Sequence, residues 1–180
     1  MTHPQLSPET ISALIAAARA AYAHSYTPYS LFPVGSSLLA VDDNGQETLI
    51  SGCNVENASF GLAICAERVA MTKAVSEGHR HFKAIAISAQ KMAPCFPCGT
   101  CLQFIREFGA DILVILEQAD GGAQILPIAE TPPYPFRGEA LRRGEAAGVR
   151  DAPGLRQAGG ARGVDVGREL LAAGAGRGRG

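Results

Sequence analysis

Cys65-Ala66-Glu67-Arg68-Val69-Ala70-Met71-Thr72-Lys73-Ala74-Val75-Ser76-Glu77 is built from good helix formers and ends at Gly78. Shortly after it, Phe82-Lys83-Ala84-Ile85-Ala86-Ile87 reads as a buried strand. Cys101 to Phe108 reads as a second short helix closed by Gly109, and Ile112-Leu113-Val114-Ile115-Leu116 as another buried strand. Apolar runs this short, alternating with helices, require a sheet with helices packed against its faces, an α/β protein.

The flanking sequence extends the same plan. Ser7, Pro8 and Glu9 supply a hydroxyl cap, a proline at the first helical position and an acid in the first turn. Ile11, Leu14, Ile15, Ala18 and Tyr22 then recur at helical spacing, and Tyr26-Thr27-Pro28-Tyr29-Ser30 breaks the helix. Val34 to Val41 and Glu47 to Val55 are expected as two strands joined by the turn Asp42-Asp43-Asn44-Gly45. No internal repeat is present.

Beyond residue 136 the pattern stops. Residues 1–136 hold 7 of the 16 Lys and Arg and 12 of the 17 Asp and Glu, a balance of −5. Residues 137–180 hold the other 9 basic residues, all arginine, with 5 acids and 12 of the 21 glycines. Such a stretch buries too little apolar surface to offset its ordering entropy. The expected organisation is a folded domain over 1–136 and a flexible Gly/Ala/Arg-rich tail over 137–180.

Composition excludes several classes. With 180 residues and 47% hydrophobic content the chain has the size and core of one ordinary domain, not of a wholly disordered protein. No apolar run approaches the roughly 18 residues that span a bilayer. The start, Met1-Thr2-His3-Pro4-Gln5, shows neither a basic patch nor an apolar segment, so a cytoplasmic protein is expected. A net charge of −1 offers nucleic acid no global electrostatic attraction. Five cysteines, all between Cys53 and Cys101, suit a reducing compartment and a metal or catalytic site better than a disulfide framework.

Three segments carry the chemistry: Asn54-Val55-Glu56-Asn57, Cys65-Ala66-Glu67-Arg68 and Pro94-Cys95-Phe96-Pro97-Cys98-Gly99-Thr100-Cys101. Zinc binds thiolates readily, and a catalytic zinc keeps one position open beside three protein ligands. Cys65 with one Cys-x-x-Cys pair makes three. Spacing leaves two such pairs open, Cys95 with Cys98 or Cys98 with Cys101. Cys65 and Cys101 are each expected to open a helix, where the dipole favours a thiolate. Arg68 is a cation three residues from Cys65. Glu67 lies too close to Cys65 to be a comfortable fourth ligand, yet within reach of a metal-bound water, the place of a general base.

Cys65-Ala66-Glu67 together with Pro97-Cys98-Gly99-Thr100-Cys101 and Gln103 resembles the small homotetrameric cytidine deaminases of the zinc nucleoside-deaminase family. The likeness runs over about residues 8–136. It takes in Tyr29-Ser30-Leu31-Phe32-Pro33-Val34-Gly35 and Asn54-Val55-Glu56-Asn57-Ala58-Ser59-Phe60-Gly61, and ends near Pro133-Tyr134-Pro135-Phe136. It implies a three-layer α/β/α sandwich with a mixed central sheet and hydrolysis of cytidine and 2′-deoxycytidine in pyrimidine salvage. It further implies Zn²⁺ held by Cys65, Cys98 and Cys101, with Glu67 moving protons from the attacking water to N3 and to the departing amine. Asn54 and Glu56 would bind the ribose 3′-hydroxyl, and the backbone at Ala66 the base carbonyl. Phe32, and Phe136 from a neighbouring subunit of the homotetramer, would pack against the base.

The sequence departs from that pattern at Leu102, where an arginine is usual, at the extra thiol Cys95, at Thr131-Pro132, and in its long tail. Two other activities fit the same residues: deamination of a different aminopyrimidine nucleoside, or a noncatalytic zinc module that holds nucleic acid through the arginine tail.

Overall fold

The computed structural model of the protein describes residues 5–131. Phe136, the 137–180 tail and the expected boundary between domain and tail lie outside the described residues.

Helix α1 (Pro8–Tyr22) begins as its sequence dictates: the Ser7 hydroxyl accepts from the Thr10 N–H at 3.2 Å, with proline in the first turn. Strands β1 (Val34–Val41) and β2 (Glu47–Cys53) form the hairpin. One Asp42 oxygen accepts from the N–H groups of Asn44 and Gln46, at 2.9 and 2.7 Å, and Gly45 supplies the φ of +82° that the turn needs. Helix α2 (Ala66–Ser76), strand β3 (His81–Ala89), helix α3 (Gly99–Arg106) and strand β4 (Leu113–Glu117) follow in the expected order. A fifth strand, β5 (Ala123–Pro127), completes the sheet.

The sheet order is β2-β1-β3-β4-β5. β1 runs antiparallel to β2 and β3, β3 parallel to β4, and β4 antiparallel to β5. A parallel neighbour demands a crossover, and α3 is that crossover. The sheet is therefore mixed, as the expected fold class requires.

Side-chain alternation along the central strands divides the interior in two. Leu39, Ala84, Ala86, Leu113 and Ile115 pack against Leu14, Ile15 and Ala18 of α1. Leu38, Ala40, Ile85, Ile87, Val114 and Leu116 face the other way, against Ala70, Met71 and Ala74 of α2 and Leu102 and Ile105 of α3. The result is three layers, α1, the sheet, and the α2/α3 pair. Each fully buried Leu, Ile or Met contributes about 1.5–3 kcal/mol.

Two glycines set how close the helices come. A Cβ at Gly35 would lie 1.9 Å from the Ala18 carbonyl oxygen of α1. One at Gly52 would lie 2.5 Å from the Ala70 nitrogen and 2.9 Å from the Ala66 oxygen of α2. Only a residue without a side chain lets both helix backbones rest on the sheet.

Two sequence expectations need correction. Helix α3 starts at Gly99 with Cys98 as its N-cap, so Cys101 does not open the helix but sits within its first turn. The reason is that no apolar periodicity marks Gly99-Thr100, whereas orphan N–H groups define the true start. Strand β5 has no counterpart in the sequence reading, although Asp120-Gly121-Gly122 before it is a turn, with Gly121 at φ +84°.

Candidate active site

Cys65 is the N-cap of α2 and Cys98 the N-cap of α3, so two helix N-termini converge on one place. The Sγ atoms of Cys65 and Cys98 are 3.8 Å apart and those of Cys98 and Cys101 3.6 Å. All three sulfurs lie within 4.8 Å of one another. Zinc–thiolate bonds of about 2.3 Å in a tetrahedral shell require sulfurs about 3.8 Å apart, so this donor set fits Zn²⁺. Among the described residues no fourth His, Cys, Asp or Glu joins the group, which leaves one tetrahedral direction for solvent or substrate. Of the two spacings open in the sequence, the structure brings Cys98 and Cys101 to Cys65. Cys95 stays outside the group and is buried against the core.

The three thiols shift one another's protonation in opposite directions. Hydrogen bonding with Cys101 and Cys65, aided by the N–H groups of Cys101 and Thr100, holds the Cys98 thiol far below its ordinary value. Cys101 is driven far upward by its bonds to Cys65 and Cys98 and by burial. At Cys65 a bond with Cys101 pulls down, but the Cys98 bond and burial outweigh it, and the thiol rises to about 11. Three thiolates at this spacing coexist only around a bound cation.

Glu67 follows in the first turn of α2 and is 4% exposed. Burial pushes its carboxyl up, a backbone hydrogen bond partly opposes this, the Cys98 thiolate adds to the rise, and it stands at about 7. A carboxyl poised there can both take and give a proton near neutrality. Arg68 donates through Nη2 to the Ala63 carbonyl at 3.2 Å and lies 3.7 Å from Cys65 Sγ. It is the cation at the thiolates, while Leu102 is buried in the core beneath α3.

Phe32, Asn54, Glu56, Cys65, Ala66, Glu67 and Cys98 all line one cavity of about 270 Å³. Phe32, 3% exposed, forms its wall and at the same time belongs to the core. Asn54 and Glu56 engage the chain itself. Asn54 Oδ1 accepts from the Val34 N–H and its Nδ2 donates to the Phe32 carbonyl, both at 2.9 Å. Glu56 Oε2 accepts from the N–H groups of Tyr29, at 2.9 Å, and Ser30, at 3.1 Å. Val55, Ile64 and Phe96 also line the cavity, and sequence reasoning singled out none of them. Phe96 sits between two cysteines with no periodicity to expose its direction, so no signal was available. Phe136 lies outside the described residues.

Three convergent thiols, with no fourth metal-ligating side chain beside them among the described residues, and a carboxyl that titrates near neutrality are the elements of metal-assisted hydrolysis. The sequence model of the cytidine and deoxycytidylate deaminase zinc-binding region matches residues 8–117, and the chain belongs to that family. It is 42% identical over 132 residues to a cytidine deaminase of Sporosarcina psychrophila, covering 73% of this chain and 94% of that one. With a cytidine deaminase of Halalkalibacterium halodurans it shares 44% identity over 116 residues, 64% of this chain and 85% of the other. The 1.6 Å crystal structure of cytidine deaminase from Burkholderia pseudomallei superposes with a TM-score of 0.61 at 39% identity, covering 73% of this chain and all of that one.

Proposed function

We propose that the protein is a zinc-dependent hydrolase converting cytidine and 2′-deoxycytidine to uridine and deoxyuridine, with release of ammonia. Cys65, Cys98 and Cys101 hold the metal. A zinc ion there supplies the Lewis acidity that makes water a nucleophile at neutral pH. The carboxylate of Glu67 takes the two protons of the attacking water in turn, delivering one to ring N3 and the other to the departing amino nitrogen. Its burial keeps that carboxyl in the range where both transfers are feasible. Arg68 offsets thiolate charge. The base lies against Phe32 with its carbonyl at the backbone of Ala66, and Asn54 and Glu56 meet the ribose hydroxyl.

The observation that carries this reading is the shared cavity: Cys65 and Cys98 of the thiol cluster, the buried carboxyl, an aromatic wall and an amide–carboxylate pair all border one space. The family's character supports a homotetramer in which Phe136 of a neighbouring subunit completes the base wall, and a cytoplasmic location. Among the described residues, no helix is long and apolar enough to cross a membrane. The 137–180 segment is an appendage to the catalytic domain in this proposal.

Glu67→Gln tests it. The variant is expected to keep one zinc per chain while uridine formation falls by about 10²–10⁴-fold. Near-normal turnover with zinc retained refutes the assignment.

A further inference from the structure

Residues 29–34 form a strap along the cavity; residues 29–33 lie outside the strands and helices, and the sheet reaches them only where the Gln90 N–H donates to the Pro33 carbonyl at 3.1 Å. Their backbone N–H groups nevertheless all have partners. Tyr29 and Ser30 donate to Glu56 Oε2, Leu31 to the Thr27 carbonyl at 3.0 Å, Phe32 to the Ser30 hydroxyl at 3.1 Å, and Val34 to Asn54 Oδ1. Pro33 has no N–H. Leu31 sits at φ +52°, a left-handed conformation costing a leucine about 1–2 kcal/mol. The strap is therefore not a shape this chain takes by itself, and long-range bonds impose it.

Those bonds come from a fixed base. The N–H of Asn54 donates to the Val34 carbonyl, its carbonyl accepts from Tyr26, and the N–H of Glu56 donates to the Tyr26 carbonyl. From this base Asn54 grips the strap on both sides of Pro33, through the Phe32 carbonyl and the Val34 N–H. Glu56 uses a single oxygen for Tyr29 and Ser30. Its Oε1 and one Nδ2 hydrogen of Asn54 have no hydrogen-bond partner among the described residues, and both side chains line the cavity.

We infer that Asn54 and Glu56 are positioning residues for Phe32, so that the pair meeting the sugar also sets the wall that receives the base. The inference rests on the cytidine reading above and adds a second role to the same site. One side of each polar group faces the ligand and the other holds the strap. Ser30 belongs to the same device, because its hydroxyl accepts the Phe32 N–H. Sugar recognition and base placement are mechanically coupled, and damage to Glu56 is felt by ligands that have no 3′-hydroxyl to offer.

The test compares Glu56→Ala and Glu56→Gln with the parent on cytidine and on 2′,3′-dideoxycytidine, which lacks that hydroxyl. Turnover is read, or the inhibition constant against cytidine where dideoxycytidine is not turned over. Coupling predicts that Glu56→Ala weakens both ligands by about 10-fold or more, as misplacement of a binding wall does. Glu56→Gln keeps an oxygen acceptor for Tyr29 and Ser30, so it recovers the dideoxycytidine value while remaining impaired on cytidine. Hydrogen exchange over residues 26–34 is expected to accelerate in Glu56→Ala and to stay near the parent rate in Glu56→Gln. A Glu56→Ala variant indistinguishable from the parent on dideoxycytidine, with unchanged exchange, overturns the inference. A parent that does not deaminate cytidine overturns the functional reading instead, and the exchange measurement still decides the strap.

Discussion

The two faces of the sheet are built alike and used differently. On one, α1 covers Leu39, Ala84 and Ile115 with Leu14, Ile15 and Ala18, and among the described residues no group of metal-ligating side chains lies there. On the other, α2 and α3 bury a larger set of side chains and also end at Cys65 and Cys98, where their N-termini meet. Both faces use a glycine to seat a helix, Gly35 under α1 and Gly52 under α2. The difference is that the N-terminal ends of α2 and α3 reach the cavity, whereas no residue of α1 lines it. Packing alone makes a layer, whereas packing that aims two helix N-termini at one point makes a place for charge.

The largest effect is expected from removing a thiol on the α2/α3 side. Cys101→Ala takes one of three thiols from the cluster and is expected to lower zinc affinity more than about 100-fold, beyond the usual effect of outer-shell changes. Deamination should fall to background with it. Cys95→Ala removes a sulfur of the same segment that stays outside the cluster, and is expected to retain zinc and activity. Metal content per chain decides between them, and zinc loss in Cys95→Ala with retention in Cys101→Ala would reverse the ligand assignment.

The next test sets the two glycines against each other. Gly35→Ala forces a Cβ into the Ala18 carbonyl, and because the obstacle is helix backbone, a loss at or above the usual overpacking cost of about 1–3 kcal/mol is expected. Gly52→Ala meets Ala70 and Ala66 at longer distances and should cost less in melting temperature. Its effect on the site should be the larger of the two, since the displaced turn carries Cys65 and Glu67. Zinc retention at equal folded fraction separates the variants. Equal zinc loss in both would mean that the two faces are not independent.

Where the sequence was readable and where it was not follows the same physics. Ser7-Pro8, the Asp42–Gly45 turn and the strand and helix cores rest on contacts within a few residues, and each stands within about two residues of its expected place. The three-thiol cluster was legible only in part: spacing left Cys95 as an alternative, and the family resemblance, not the helix starts, pointed to Cys98 and Cys101 beside Cys65. The start of α3 was misread because capping N–H groups carry no side-chain signature. β5 was missed because a five-residue edge strand needs β4 beside it before its pattern means anything. The grip of Asn54 and Glu56 on the strap spans 20 to 27 residues, and no local pattern encodes a hydrogen bond of that reach.

The smallest expected effect lies on the α1 side. Arg19 of α1 donates to the Glu117 carboxylate at the end of β4 through both Nε and Nη2. Burial works to raise the Glu117 carboxyl, but the hydrogen bond and charge of Arg19 help to outweigh it and hold it below its ordinary 4.5. A carboxyl depressed in the folded state stabilises fully above its unfolded value and loses that contribution as pH falls through the folded one. Arg19→Ala should therefore lower stability at neutral pH, by no more than about 1 kcal/mol because the arginine is half exposed. The gap between variant and parent should close as pH drops below 4.5. Melting curves from pH 3 to 8 (about the range in which carboxyl groups titrate) measure it. A gap independent of pH would show that Arg19 acts through the packing of its stem alone, and a change in zinc content would tie α1 to the site after all.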